Sequence, residues 1–237
     1  MPASVPAGVT KITMKNAGKE DHQAQLVRIA EGKTMEDLSK ALQAPDPSAA
    51  LALVTLAGGP TAVPPGASGS ATVKLEPGAY AFLCFFAGAD GVPHIAKGMI
   101  APLEVTGPAA ADDLPAGDAT VVTADFAFKG LDKLTPGAHT ITIKNDGPQP
   151  HEAGIVKLAD GVTVPDILKA FTGTAAPSGP PPFTSAGGIG GIASGTTATF
   201  DVDLPAGEYA FICFVPDVAT GKPHAALGMV GALSVGP

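Results

Sequence analysis

Two stretches of this chain, YAFLCFFAGADGVPHIAKGM at 80–99 and YAFICFVPDVATGKPHAALGM at 209–229, are nearly the same phrase. A repeat of this kind constrains the fold more tightly than composition can, because each copy must build the same unit. TKITMKNAGKEDH at 10–22 lies over HTITIKNDGPQPH at 139–151 with a shift of 129, matching Asn16 to Asn145, Gly18 to Gly147 and His22 to His151. The same shift carries Tyr80 onto Tyr209 and Cys84 onto Cys213. One residue is inserted after the second cysteine, so His94 matches His224 and Met99 matches Met229 at a shift of 130. The 237 residues suffice for two ordinary cores. The expected division is a domain over 1–106, a small-residue linker over 107–118 and a domain over 119–237.

Each copy reads as short strands. TKITMK and HTITIK alternate with the period of a half-buried strand, placing Ile12 with Met14 and Ile141 with Ile143 on one face. SATVKLEPGAYAFLCFF and TATFDVDLPAGEYAFICFV each read as two strands about a Pro/Gly turn, the second buried on both faces. A strand follows the first histidine, AQLVRIA or AGIVKLA, and then a short helix, for which Thr34 with Asp37 and Thr163 with Asp166 supply caps. Residues 43–69 and 172–196, rich in Ala, Gly, Pro and Ser, read as loops. The expected fold is all-β: two tandem Greek-key sandwiches, each with one short helix. Only the second copy has a further strand ahead of the matched region, ATVVTADFAFKG at 119–130. The first copy's edge must therefore be covered by the partner domain or tolerated.

Charge narrows the partners. A net charge of −8 argues against nucleic acid and against an anionic membrane surface, and favours a basic protein partner or a cation. No apolar run reaches bilayer length, so membrane insertion is not expected. The opening MPASVPAGVT has neither the basic nor the apolar part of a signal peptide, so an exported protein would be met here in its mature form.

The repeated residue types carry the chemistry. Each copy supplies two His, one Cys and one Met. Thiolate and imidazoles in a trigonal set, with a weak thioether above, form the blue-copper arrangement. The bland readings are a Cys84–Cys213 disulfide, or cysteines and methionines that only fill core. A bridge is disfavoured because the two cysteines occupy equivalent strand ends of separate domains. Of five histidines, only His139 falls outside the repeat, too few for a type 2 or trinuclear centre. The residues HIAKGMI and HAALGMV would leave His94 and His224 beside an apolar patch, as electron ports, with His22 and His151 as inner ligands. Phe82, Phe85, Phe86, Phe211 and Phe214 are expected in the core and as a wall for the site.

At these residues the chain resembles the cupredoxin family over nearly its whole length. NAGKEDH is similar to the turn leading into the first copper histidine of plastocyanin-like proteins, and Cys84, His94 and Met99 resemble the type 1 loop of copper nitrite reductases. The resemblance implies cupredoxin-like sandwiches, one type 1-like copper per domain and one-electron transfer with a redox protein partner, in the periplasm or outside the cell. The ligands it implies are His22, Cys84, His94 and Met99 in the first domain, and His151, Cys213, His224 and Met229 in the second. The chain departs from the family pattern in having Gln23 or Glu152 after the first histidine. It also has Leu83 and Ile212 where two-domain copper enzymes place a histidine beside the cysteine, so no enzyme activity is expected. The alternatives are a copper carrier or buffer and a metal-free interaction module.

Overall fold

The structure, a computed structural model, describes residues 1–44, 47–109, 111–172 and 181–236. The first half runs β1 (Ser4–Pro6), β2 (Gly8–Lys15), β3 (Gln25–Ile29), α1 (Met35–Leu42), β4 (Val54–Leu56), β5 (Ser68–Leu75), β6 (Gly78–Leu83) and β7 (Ile100–Thr106). The second opens with β8 (Ala119–Ala124) and β9 (Ala127–Lys129), for which the first half has no counterpart. It continues through β10 (Lys133–Leu134), β11 (Gly137–Asn145), β12 (His151–Leu158), α2 (Val164–Thr172), β13 (Phe183–Ile192), β14 (Thr197–Leu204), β15 (Gly207–Ile212) and β16 (Val230–Val235). The helices start where their caps stand: the Thr34 hydroxyl accepts from Asp37 N while the Asp37 carboxylate accepts from Thr34 N.

Each half has its own five-stranded sheet, β1-β7-β6-β3-β4 and β10-β16-β15-β12-β13, and the two share a six-stranded sheet, β2-β5-β14-β11-β8-β9. The alternating strands turn Leu26, Tyr80 and Val105 of one sheet onto Ala71 and Val73 of the shared one, in an apolar cluster that continues into Ile141, Phe200 and Phe211.

The halves meet about a pseudo-two-fold axis. In the β5–β14 pairing Ala71 stands opposite Phe200, and in a bridge beside it Pro60 stands opposite Ile189; each faces its own repeat mate. Gly58 N donates to Gly191 O at 2.8 Å, and the mated pair, Gly187 N to Ala62 O, measures 3.0 Å. Such a self-complementary interface is what a dimer of identical units makes, here within one chain.

The Gly-rich stretches expected as loops contain β4 and all of β13. Glycine hides the strand signal because these backbones pass too close for side chains. A Cβ on Gly59 would stand 2.1 Å from Ala24 O, and on its mate Gly188 2.2 Å from Ala153 O. The edge at β2 is not covered by the second half, which pairs with β5 on the opposite side; β2 is the sheet's end strand.

Symmetry breaks at Gln25, whose mate is Gly154. The buried Gln25 amide donates to Gly58 O (3.2 Å) and Gly191 O (3.0 Å), and its oxygen accepts from Gly191 N at 2.6 Å. It thus ties the two halves together in the room left by Gly190 and Gly191, where a Cβ would meet its oxygen at 2.5 and 3.5 Å. Replacing Gln25 by Leu strands a buried donor and carbonyls, which costs about 1–3 kcal/mol. Urea unfolding should show that loss as a lower midpoint, and an unchanged midpoint would refute the role.

Candidate metal centres

The turn ahead of each first histidine is built by its asparagine. Asn16 Nδ2 donates to Glu20 O and Val63 O at 2.7 and 2.8 Å while Oδ1 accepts from Gly18 N. Asn145 repeats this with Gln149, Ile192 and Gly147. The cysteine follows the last residue of β6 or β15, and the loop beyond it folds back on itself. His94 N donates to Phe86 O, Ile95 N to Cys84 O, and Cys84 N to Met99 O at 3.3 Å. In the second half His224 N donates to Val215 O, Ala225 N to Cys213 O, and Cys213 N to Met229 O at 3.4 Å.

These restraints bring distant residues together. In the first half Cys84 Sγ lies 3.6 Å from His22 Nδ1 and 3.4 Å from His94 Nδ1. In the second, Cys213 Sγ lies 3.9 Å from His151 Nδ1 and 3.4 Å from His224 Nδ1, and the two Nδ1 atoms are 3.0 Å apart. Donors about 2.0–2.3 Å from one first-row ion stand about 3–4 Å from each other for angles at the ion of about 95–130°. The spacing in both halves therefore fits a single ion. The cysteines are free and buried, so the disulfide alternative is excluded.

The surroundings set the protons. Asp125 Oδ1 lies 2.7 Å from His151 Nε2 and Glu20 Oε2 2.9 Å from His94 Nε2, so each carboxylate holds the ring proton on Nε2 and leaves the Nδ1 lone pair facing the sulfur. Burial lowers the His22, His151 and His224 pKa values, the last to about 4, which keeps these rings neutral donors at neutral pH. Burial pushes both thiols up, opposed by Gln23 N and Glu152 N, each 3.5 Å from a sulfur. Nothing in this apolar shell stabilises a bare thiolate as well as a cation would. Glu152 is itself buried and lifted to about 7, and its Oε1 accepts from Phe214 N at 2.6 Å, which pins the strand end beside Cys213.

The methionines differ. Met229 is 0% exposed and packs with Cys213 and Val215, whereas Met99 is 40% exposed and lines an open groove with Cys84. The histidines reverse the expected exposure in the first half, whereas in the second both His151 and His224 are buried. His94 and His224 are buried, the first against Glu20 and the second with its ring centroid 5.0 Å from that of Phe126. His22, expected as the inner ligand, is half-buried. Loop composition could not show this, because the cover over the second site comes from β8–β9, far off in sequence. Of the phenylalanines, Phe211 is core, but Phe85 and Phe214 are exposed. Glu20, Asp125 and Glu152 were not singled out from sequence as supports for the site. His139 bonds to Thr135 and Asp118 and takes no part in either cluster.

No family model and no curated protein sequence matches the chain. Among solved structures it is similar to an auracyanin from the photosynthetic bacterium Roseiflexus castenholzii, with 23% identity over 50% of this chain and 95% of that one and a TM-score of 0.35. A copper nitrite reductase from Nitrosomonas europaea is 19% identical over 98% of this chain and 81% of its own, with a TM-score of 0.28. An amicyanin mutant in a reduced Cu(I) form is 18% identical over 54% and 91%, with a TM-score of 0.29. These superpositions are loose, and the side-chain geometry stands apart from them. No described helix is long and apolar enough to cross a membrane. With two packed sheets in each half and a histidine, cysteine, histidine cluster repeated in both, the chain has the architecture of a tandem cupredoxin-like protein.

Proposed function

We propose that the chain binds one copper ion in each half and transfers single electrons to and from a redox protein partner, in the periplasm or outside the cell. The ligands are His22, Cys84 and His94 with Met99, and His151, Cys213 and His224 with Met229. The observation that carries this reading is the double convergence of two Nδ1 atoms and one Sγ. Copper suits a soft thiolate beside two neutral imidazoles and a thioether, and when bound it supplies a one-electron couple. The chain's own work is to hold the donors still. The loop hydrogen bonds, the carboxylate-locked tautomers and the backbone N–H groups on sulfur fix the donors, so little need move between oxidation states. A carrier is favoured over an oxidase or reductase because the one imidazole outside the clusters, His139, is engaged elsewhere.

Titrating Cu(II) into the apo-protein should give an intense thiolate-to-metal visible band that saturates at two equivalents. Cys84→Ser and Cys213→Ser should each remove half of it. A colourless, tight Cu(I) complex would instead identify a copper carrier, and no binding would identify a metal-free module.

Asp125→Asn and Glu20→Gln should each weaken metal binding about 10–100-fold, the usual cost of losing a ligand's outer hydrogen-bond partner. The first change should act only on the second half's site and the second only on the first half's, as competition titrations in the Cys84→Ser and Cys213→Ser backgrounds would show. Equal effects on both sites would refute the assignment. Release of Cu(I) to a chelator should be biphasic, and Cys84→Ser should delete the faster phase, because the exposed Met99 and half-buried His22 leave that site open.

A further inference from the structure

Hydrogen bonds carry the repeat into the ligand loops residue by residue. Gly88 N donates to Val92 O as Asp217 N donates to Lys222 O, and Ala89 N donates to Glu20 Oε1 at 2.6 Å as Val218 N donates to Gln149 Oε1 at 2.9 Å. Glu20 and Gln149 are therefore mates in structure as well as in sequence, and so are Gly88 and Asp217. The two pairs differ together. In the first half Gly88 has no side chain to compete for Glu20, whose Oε2 bonds His94 Nε2 at 2.9 Å. In the second half the buried Asp217 accepts from Gln149 Nε2 at 3.0 Å, and the same amide nitrogen reaches Asp125 Oδ2 at 3.1 Å.

The consequence falls on His224. Its Nε2 is the counterpart of the His94 atom that Glu20 holds, and it is buried with no hydrogen-bond partner among the described residues. An amide nitrogen only donates, and Val218 N already claims the Gln149 oxygen, so Gln149 cannot serve His224 as Glu20 serves His94. The other ring nitrogen, His224 Nδ1, stands 3.0 Å from His151 Nδ1. Asp125 holds the His151 proton on Nε2, which leaves His151 Nδ1 a bare acceptor. Two lone pairs facing each other at that distance repel. One neutral arrangement satisfies the pair: His224 carries its proton on Nδ1 and donates it to His151 Nδ1.

We propose that Gln149, oriented by Asp217, is a positioning residue that holds the His224 proton on Nδ1 in the metal-free protein and so closes the second centre with a histidine–histidine hydrogen bond, while Glu20 in the same place holds the His94 proton on Nε2. Before His224 Nδ1 can serve an ion, the proton must leave it and one must bind Nε2, the ring staying neutral. That new N–H is buried with no acceptor among the described residues. His94 needs neither change. An unmet buried donor weakens binding about 5–150-fold relative to the same site with an acceptor supplied. This effect on affinity rests on the copper reading above, whereas the placement of the proton does not.

Imidazole nitrogen-15 spectra of the metal-free, full-length protein distinguish N–H from lone-pair nitrogens. His94 and His151 should carry the proton on Nε2 and His224 on Nδ1. Gln149→Glu combined with Asp217→Gly copies the first half's arrangement into the second and should move the His224 proton to Nε2. Glu20→Gln should do the reverse and move the His94 proton to Nδ1, because Ala89 N keeps the oxygen end and turns the amide nitrogen to the ring. A merely structural role for this position would change stability and leave both protons where they are. The proposal is overturned if His224 carries its proton on Nε2 in the unaltered protein, or if His94 keeps its proton on Nε2 in Glu20→Gln, a test that stands even if the double variant does not fold. In the Cys84→Ser background the folded double variant should bind Cu(II) about 5–150-fold more tightly than its parent. No gain after the proton has moved overturns the role assigned to the bare Nε2. If neither centre bound copper, the copper reading would fall, and the metal-free spectra would still decide where the protons lie.

Discussion

The β5–β14 pairing is the interaction from which the rest of the arrangement follows. It uses up one edge of each half and lays the Gly-rich segments against each other, so that backbone hydrogen bonds run along the seam beside the Gln25 side chain and the shared apolar cluster. With the inner edges spent on each other, the difference in strand content between the halves falls at the outer edges. One outer edge is closed by β8–β9 and the other ends at β2. The unlike exposure of Met99 and Met229 is thus a consequence of sheet topology and not of the ligand loops, which are almost the same in sequence and in hydrogen bonding.

Much of this was legible in the sequence, and the reason is spacing. A set of two His, one Cys and one Met, recurring with one inserted residue, marks the same four positions in each copy. The Thr34 and Thr163 caps mark their helices because capping is a contact over three residues. What was not legible depended on contacts with no fixed spacing. β13 reads as loop because its glycines serve close backbone approach to β12, a fact about a neighbour 35 residues away at Gly188 and Ala153. The exposure of His22 and the burial of His94 were misjudged for the same reason. A signal did exist for Gln25, since a glutamine facing a glycine across the repeat marks a place where the copies cannot have the same surroundings.

The carboxylates show two ways of steering an imidazole with one device. In the second half Asp125, contributed by the turn between β8 and β9, fixes the first histidine of the set. In the first half, without that turn, Glu20 fixes the second histidine instead. Either placement leaves Nδ1 of the fixed ring as the atom that faces sulfur. The two halves thus place tautomer control on different rings of the set, on His151 through Asp125 and on His94 through Glu20.

The residue after the first histidine follows a similar logic. The place holds Gln23 in one copy and Glu152 in the other, both buried. A charged carboxylate beside Cys213 would oppose the thiolate that a metal requires. Burial resists that charge by lifting Glu152 to about 7, and the neutral form still accepts from Phe214 N. Gln23 is uncharged by composition. Burial thus opposes the charge of Glu152 beside Cys213, and Gln23 brings none beside Cys84, while both places hold a buried polar side chain at the strand end.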